Sequence, residues 1–175
     1  MVDEIKLTTA DIRYLFDLLN QELRDTGTHA ELYVVGGAAM CLALGARNAT
    51  RDVDAWFKPS TLVRQAAARV AARANVPEDW LNDAVKAWLS DHGSFGPYLE
   101  LSHLQVFVAL PAYLLALKCM SMRLGAEFHD LDDVRYLLRH LDIRTADVAM
   151  QVVTQYFEEA RVPLKTRLAL EDLLA

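Results

Sequence analysis

Two aspartates separated by one residue, Asp52 and Asp54, are the side chains of this chain best placed to do chemistry. They open the segment Asp52 to Phe57, in which polar and apolar residues alternate as in a half-buried strand. Both carboxylates therefore project from one face while Val53 points into the core. Two hard oxygen ligands so placed suit a divalent cation such as magnesium. Upstream, Val34-Val35-Gly36-Gly37 reads as a strand closed by a glycine turn. Such a turn leaves N–H groups exposed at the start of a helix, where those donors and the helix dipole hold phosphate oxygens. Between the two signals stand Arg47, Thr50 and Arg51. Phosphoryl and nucleotidyl transfer needs this equipment, because positioned metal ions neutralise phosphate charge and lower the pKa of the attacking hydroxyl. A D-x-D pair alone reads as a solvated acidic turn; the glycine turn with the intervening arginine and threonine argues for a site.

The surrounding pattern shows what must hold these residues. Thr8 with Asp11 forms a helix cap, and Ile12, Leu15, Phe16, Leu19 and Leu23 follow at helical spacing, predicting a helix from Thr9 to Arg24 that ends near Gly27. Glu31 to Val35 predicts a short strand, Ala38 to Leu44 a short helix stopped by Gly45, and Asp52 to Phe57 the strand with the aspartates. An alanine-rich helix is expected from Thr61 to Ala74, and another opening at Pro77 and carrying Trp80, Leu81, Ala84 and Trp88. Tyr98 to Ala109 supplies one or two strands with a turn at Ser102-His103. Helices are expected from Pro111 to Met122, Phe128 to Leu141, Thr145 to Glu159 and Pro163 to Leu174. The class is α+β: a small mixed sheet of three to five strands flanked by helices in residues 1–110, and a helical half in 111–175, together one domain.

The later helices carry a second group. Lys118 interrupts the apolar stretch Leu114 to Met122, where a charge is costly unless its head reaches solvent, a carboxylate or phosphate. Asp130 and Asp133 stand three apart on one helical face, where they can meet Lys118, shape a metal site, or simply sit at a helix start that favours acids.

On Gly36, Gly37, Arg47, Thr50, Asp52 and Asp54, followed by Lys118 and the run His129-Asp130-Leu131-Asp132-Asp133, the chain resembles the nucleotidyltransferases of the polymerase β superfamily, in the branch of AbiEii-like and MenT-like toxin nucleotidyltransferases. The resemblance spans roughly Leu32 to Leu141. It implies a nucleotidyltransferase fold in which Asp52 and Asp54 bind magnesium, Gly36 and Gly37 approach the triphosphate of an NTP, and Lys118 contacts phosphate or organises the site. Arg47, Thr50 and Arg51 then hold the nucleotide or brace the loop, and Asp130 and Asp133 complete the catalytic set. It also implies transfer of an NMP to a hydroxyl of an RNA (tRNA) or protein acceptor, in a toxin that would have an antitoxin partner. The superfamily commonly adds a third carboxylate from a neighbouring strand. The run Leu104-Gln105-Val106-Phe107-Val108-Ala109 has none, which leaves Glu100 as the candidate. That departure motivates the alternative of a non-catalytic, antitoxin-like or binding module of the same fold. A third reading is an enzyme modifying a cationic small molecule.

Composition narrows the rest. With 175 residues, 53% of them hydrophobic, the core is easily filled. The formal charge of -6 argues against a uniformly basic nucleic-acid surface, although Arg69 and Arg73 could wall a local basic groove or lie on a solvated helix face. Cys41 and Cys119 sit in apolar runs and suggest neither a zinc site nor a disulfide. The start Met1-Val2-Asp3-Glu4 lacks the pattern of a secretory signal, and the longest apolar run, Leu104 to Leu117, is too short to span a bilayer. A cytoplasmic location without a membrane partner is expected. His92, His103, His129 and His140 lack paired ligand spacing, and Trp56, Trp80 and Trp88 have spacing suited to core packing.

Overall fold

The Thr8 side chain accepts a hydrogen bond from the Asp11 N–H, and the Asp11 carboxylate accepts one from the Thr8 N–H, so the first helix opens on a reciprocal cap. That helix, α1, runs Thr9–Asp25 and buries Ile12, Leu15, Phe16, Leu19 and Leu23. The computed structural model describes residues 5–123 and 129–175, so the amino-terminal tetrapeptide and the helix start expected at Phe128 lie outside the described residues. Among the described residues the chain is α+β, with seven α-helices, a mixed five-stranded sheet and a two-stranded ribbon. It divides into two compact units. One holds the chain up to Ala87 together with Phe95–Val108; the other holds Trp88–Ser94 together with Ala109–Ala175.

In the first unit, β1 (Leu7–Thr8) and β3 (Ala49–Thr50) form the antiparallel ribbon. The larger sheet has β2 (Ala30–Val34) at its centre, antiparallel to β4 (Val53–Lys58) and parallel to β7 (Leu104–Ala109). Outside these lie β5 (Leu81–Asn82), parallel to β4, and β6 (Phe95–Glu100), beside β7. Leu32, Val34, Val53, Ala55, Phe57, Val106 and Val108 point to one face and are almost fully buried. Helix α3 (Ser60–Ala74) contacts β4 and β5 and presents Val63, Ala66, Ala67 and Val70, small enough for α1 to pack closely against it. Between β2 and β3 lies α2 (Gly36–Leu42).

Two expectations change. Pro77 opens no α-helix: Glu78–Trp80 and Ala84–Trp88 are short 3-10 turns flanking β5. Trp80 is fully buried, its indole N–H donating to the Ala67 carbonyl at 3.0 Å, and this tertiary bond together with pairing to β4 overrides the helical spacing. Trp88 is 72% exposed, so only Trp80 of the three tryptophans is a core residue, Trp56 being partly exposed.

The second unit contains α4 (Pro111–Ser121), α5 (Asp130–His140), α6 (Ala146–Thr154) and α7 (Leu164–Leu173). Helix α4 packs on α5 and α6 through Tyr113, Leu114, Leu115, Ala116 and Cys119, and Thr166 of α7 donates to the Cys119 carbonyl at 2.7 Å. Both cysteines are buried free thiols, and burial pushes that of Cys119 up to about 12. No helix among the described residues is long and apolar enough to cross a membrane.

Candidate functional site

The glycine turn and the aspartate strand meet in space. Val35 N–H donates to the Asp54 carbonyl at 2.9 Å, which sets the end of β2 beside the start of β4. Gly36 follows with φ of +64°, a left-handed backbone that glycine adopts without strain. A Cβ at Gly36 would lie 3.3 Å from Asp54 Oδ2, so the turn packs directly on the carboxylate. Asp54 lies on β4, in register with Asn82 of β5, while Asp52 comes one residue before the strand begins. The alternation therefore holds for Asp54, whereas Asp52 lies in the lead-in.

Asp52 carries the site's electrostatic tension. Burial, then the charges of Asp54 and Asp79, push its carboxyl up to about 6, against the opposing charge of Arg51 and a hydrogen bond from Asn82. That bond runs from Asn82 Nδ2 to Asp52 Oδ2 at 3.4 Å.

Gly37 is the tightest point of the turn. A Cβ there would come within 2.7 Å of Thr50 Oγ1 and 2.8 Å of an Arg47 guanidinium nitrogen. Arg47 and Thr50 thus close over the glycine, and Thr50, nearly buried, donates from its hydroxyl to the Asp52 carbonyl at 3.3 Å. Thr50 braces the loop before the aspartates, Arg47 lies over the glycine turn, and Arg51 is exposed beside Asp52. Helix α2 has only seven residues, so the expected help from a helix dipole is small and phosphate affinity must come from backbone N–H groups and Arg47.

A third carboxylate does not come from Glu100. In the β2–β4 register Val34 faces Ala55 near Asp54, whereas Glu31 faces Lys58 at the far end. Glu100 belongs to that far end, where Gln105 donates to its carboxylate and where both line a cavity of about 600 Å³ with His29, Glu31, Lys58 and His103. The cavity is thus remote from the aspartates along the strands. Among the described residues no group of three His, Cys, Asp or Glu side chains could hold a metal ion. The other neighbours of the pair are Asn82 and Asp79, from the segment expected to be helical, and a two-residue strand has no periodicity by which a sequence could announce it.

Lys118, Asp130 and Asp133 form a separate cluster inside the second unit. The Lys118 ammonium lies 3.1 Å from Asp130 Oδ1 and 2.7 Å from Asp133 Oδ2, and all three side chains are buried. Arg123 adds its backbone N–H and its guanidinium to Asp130 Oδ2 at 3.1 and 2.9 Å. Burial alone would raise the Asp130 carboxyl, but Arg123 and Lys118 hold it below its ordinary value. The structure thus gathers the expected residues into two groups: Asp52 and Asp54 with Gly36, Gly37, Arg47, Thr50 and Arg51 in one unit, and Lys118 with both acids of α5 in the other. Arg69 and Arg73 both pair with Glu22, at 2.6 and 2.9 Å, which neutralises much of the charge a basic groove would need.

Sequence reasoning also passed over the sheet face that Asp54 shares. Tyr33 is in register with both Trp56 and Phe107, and its ring lies 4.8 Å from the first and 5.0 Å from the second between centroids. The parity that turns Asp54 away from the core also turns Trp56 and Lys58, a signal present in the sequence but masked by the tryptophan's size. No protein-family model matches the chain, and no curated protein or solved structure shows a significant likeness to it.

Proposed function

We propose that the chain is a magnesium-dependent nucleotidyltransferase with the polymerase β type of fold, moving an NMP from an NTP to a hydroxyl of an RNA, tRNA included, or of a protein, as the toxin of a pair whose antitoxin restrains it. The observation that carries this reading is the packing of Gly36 against the Asp54 carboxylate, which puts a turn able to approach phosphates beside a pair of metal-binding oxygens.

The residues fit a magnesium ion by their charge. Two carboxylates close enough to lift Asp52 to about 6 repel each other, and a divalent cation relieves that repulsion. Two protein ligands suffice for an ion whose remaining positions go to water and substrate phosphate. When bound, magnesium supplies charge neutralisation at the phosphate oxygens and makes the acceptor hydroxyl more acidic. In the reaction the acceptor oxygen bonds to the α-phosphorus, the bond from that phosphorus to the bridging oxygen breaks, and pyrophosphate leaves. Backbone N–H groups at Gly36 and Gly37 hold phosphate oxygens, Arg47 adds charge over the same turn, and Thr50 fixes the loop that aims Asp52. Lys118 enters as the organiser of the helical unit, its ammonium being held by two carboxylates.

Incubation with magnesium, each α-labelled NTP in turn, and total RNA or cell lysate tests the reading. Label should become attached to RNA or protein and vanish in Asp54→Ala. Equal NTP affinity in the wild type and in a chain carrying both Asp52→Ala and Asp54→Ala would sink it. The absence of a third acid among the described neighbours favours a second reading, a non-catalytic module of the same fold, which predicts NTP binding without turnover.

A further inference from the structure

The face of the sheet that carries Asp54 also carries a strip of aromatic rings that the reaction as described leaves without a task. Tyr33 is nearly parallel to Phe107, at 12°, tilted by 31° to Trp56, and edge-on to Phe95 with centroids 5.2 Å apart. All four rings are partly exposed. Such rings on a face away from the packed core are unusual unless something covers them or stacks on them. At the far end Lys58 places its ammonium 5.7 Å from the Trp56 ring centroid and 5.9 Å from that of Tyr33, with Glu31 as its ion-pair partner at 2.9 Å. Along β4 the order on this face is Asp54, Trp56, Lys58: carboxylate, ring, cation.

Taking the transferase reading as its basis, we propose that this strip is the acceptor platform and that the acceptor is a single-stranded nucleic acid whose unpaired terminal base stacks on Tyr33 and Trp56. A flat, ring-lined surface ending in one cation matches a planar base followed by a phosphate, the pairing by which single strands are held without sequence readout. The carboxylate end matches as well. Two residues of strand separate Asp54 from Trp56 by about 7 Å, so a base on Trp56 leaves its own sugar hydroxyl within reach of the metal-binding carboxylate. A peptide acceptor would instead want a paired sheet edge or an aliphatic groove, neither of which this strip provides. The acidic chain, with its formal charge of -6, makes stacking the dominant contribution, so affinity should depend only weakly on salt, with a slope of about -0.7 for the single phosphate met by Lys58.

The test uses the full chain carrying Trp88→Phe, which leaves Trp56 as the partly exposed indole beside the buried Trp80. A five-nucleotide oligoadenylate with a free 3′ hydroxyl is titrated against tryptophan fluorescence without NTP or magnesium, and the same oligonucleotide is then offered as a duplex. Saturable quenching by the single strand is expected, weak or absent quenching by the duplex, and an affinity loss of about 5- to 100-fold in Tyr33→Leu that Tyr33→Phe largely restores. Far-UV circular dichroism checks that each variant is folded. Equal affinity for single strand and duplex, no quenching, equal loss in both Tyr33 variants, or quenching by an unstructured peptide but not by the oligonucleotide would each overturn the proposal. Magnesium-ATP calorimetry on the same proteins keeps the two readings apart: nucleotide binding without oligonucleotide binding removes the platform and spares the transferase, and the converse removes the transferase alone.

Discussion

Asp52→Asn exchanges a strained carboxylate for an amide of the same shape, and the structure fixes the size and pH range of the effect. Burial and the charges of Asp54 and Asp79 raise the Asp52 carboxyl from 3.8 to about 6. About two pKa units correspond to about 3 kcal/mol, and solvent screening of a partly exposed side chain reduces this to about 1–2 kcal/mol. A carboxyl with a folded pKa above its unfolded value binds protons more tightly when folded, so its favourable contribution is complete below about pH 4 and is lost as pH rises through about 6. Asp52→Asn should therefore match the wild type at pH 4 and exceed it at pH 7.5, by about 2–8 °C in Tm for a chain of this size. Thermal unfolding followed by circular dichroism at the two pH values measures the difference directly. Repeating the pH 7.5 scan with millimolar magnesium should stabilise the wild type and narrow the gap, because the cation relieves the same repulsion that the amide removes. A gap of equal size at both pH values would refute the electrostatic account, and a gap unmoved by magnesium would refute the metal assignment.

Lys118→Met leaves Asp130 and Asp133 buried without their shared cation and should cost about 3–5 kcal/mol in urea unfolding, a loss partly recovered by adding Asp133→Leu. Gly37→Ala drives a methyl group into Thr50 and Arg47, so stability should fall by about 1–3 kcal/mol and calorimetric NTP affinity by at least about tenfold. Arg69→Ala with Arg73→Ala removes charges already paired with Glu22, so oligonucleotide affinity should stay within about twofold by fluorescence titration.

What the sequence disclosed was whatever short-range periodicity or capping chemistry encodes. The Thr8 and Asp11 cap, the apolar stripe from Ile12 to Leu23 and the outward parity of Asp54 all follow from local rules, and each has its counterpart in the structure. The meeting of Lys118 with Asp130 and Asp133 was among the options because a buried ammonium needs anions, and two acids three apart on a helix offer them. The segment after Pro77 misled because Trp80, Leu81, Ala84 and Trp88 have helical spacing, while the forces that decide there are tertiary: the Trp80 bond to Ala67 and the pairing of Leu81 and Asn82 with Val53 and Asp54. Glu100 misled for a similar reason. Nearness to the β7 run in sequence said nothing about which end of the sheet it would occupy.

Strand β4 is also nearly an open border of the sheet. On the side away from β2, β5 pairs with Val53 and Asp54, and Ala55 to Lys58 have no strand neighbour there among the described residues. An unpaired border rich in Trp and Phe would template growth by other copies of the chain, and three local features discourage it: the exposed charge of Lys58, the missing donor at Pro59, and the immediate turn into α3. The two-residue β5 thus shields the carboxylate end of the border, and the lysine at its other end keeps a crowded solution of this protein from stacking into fibres.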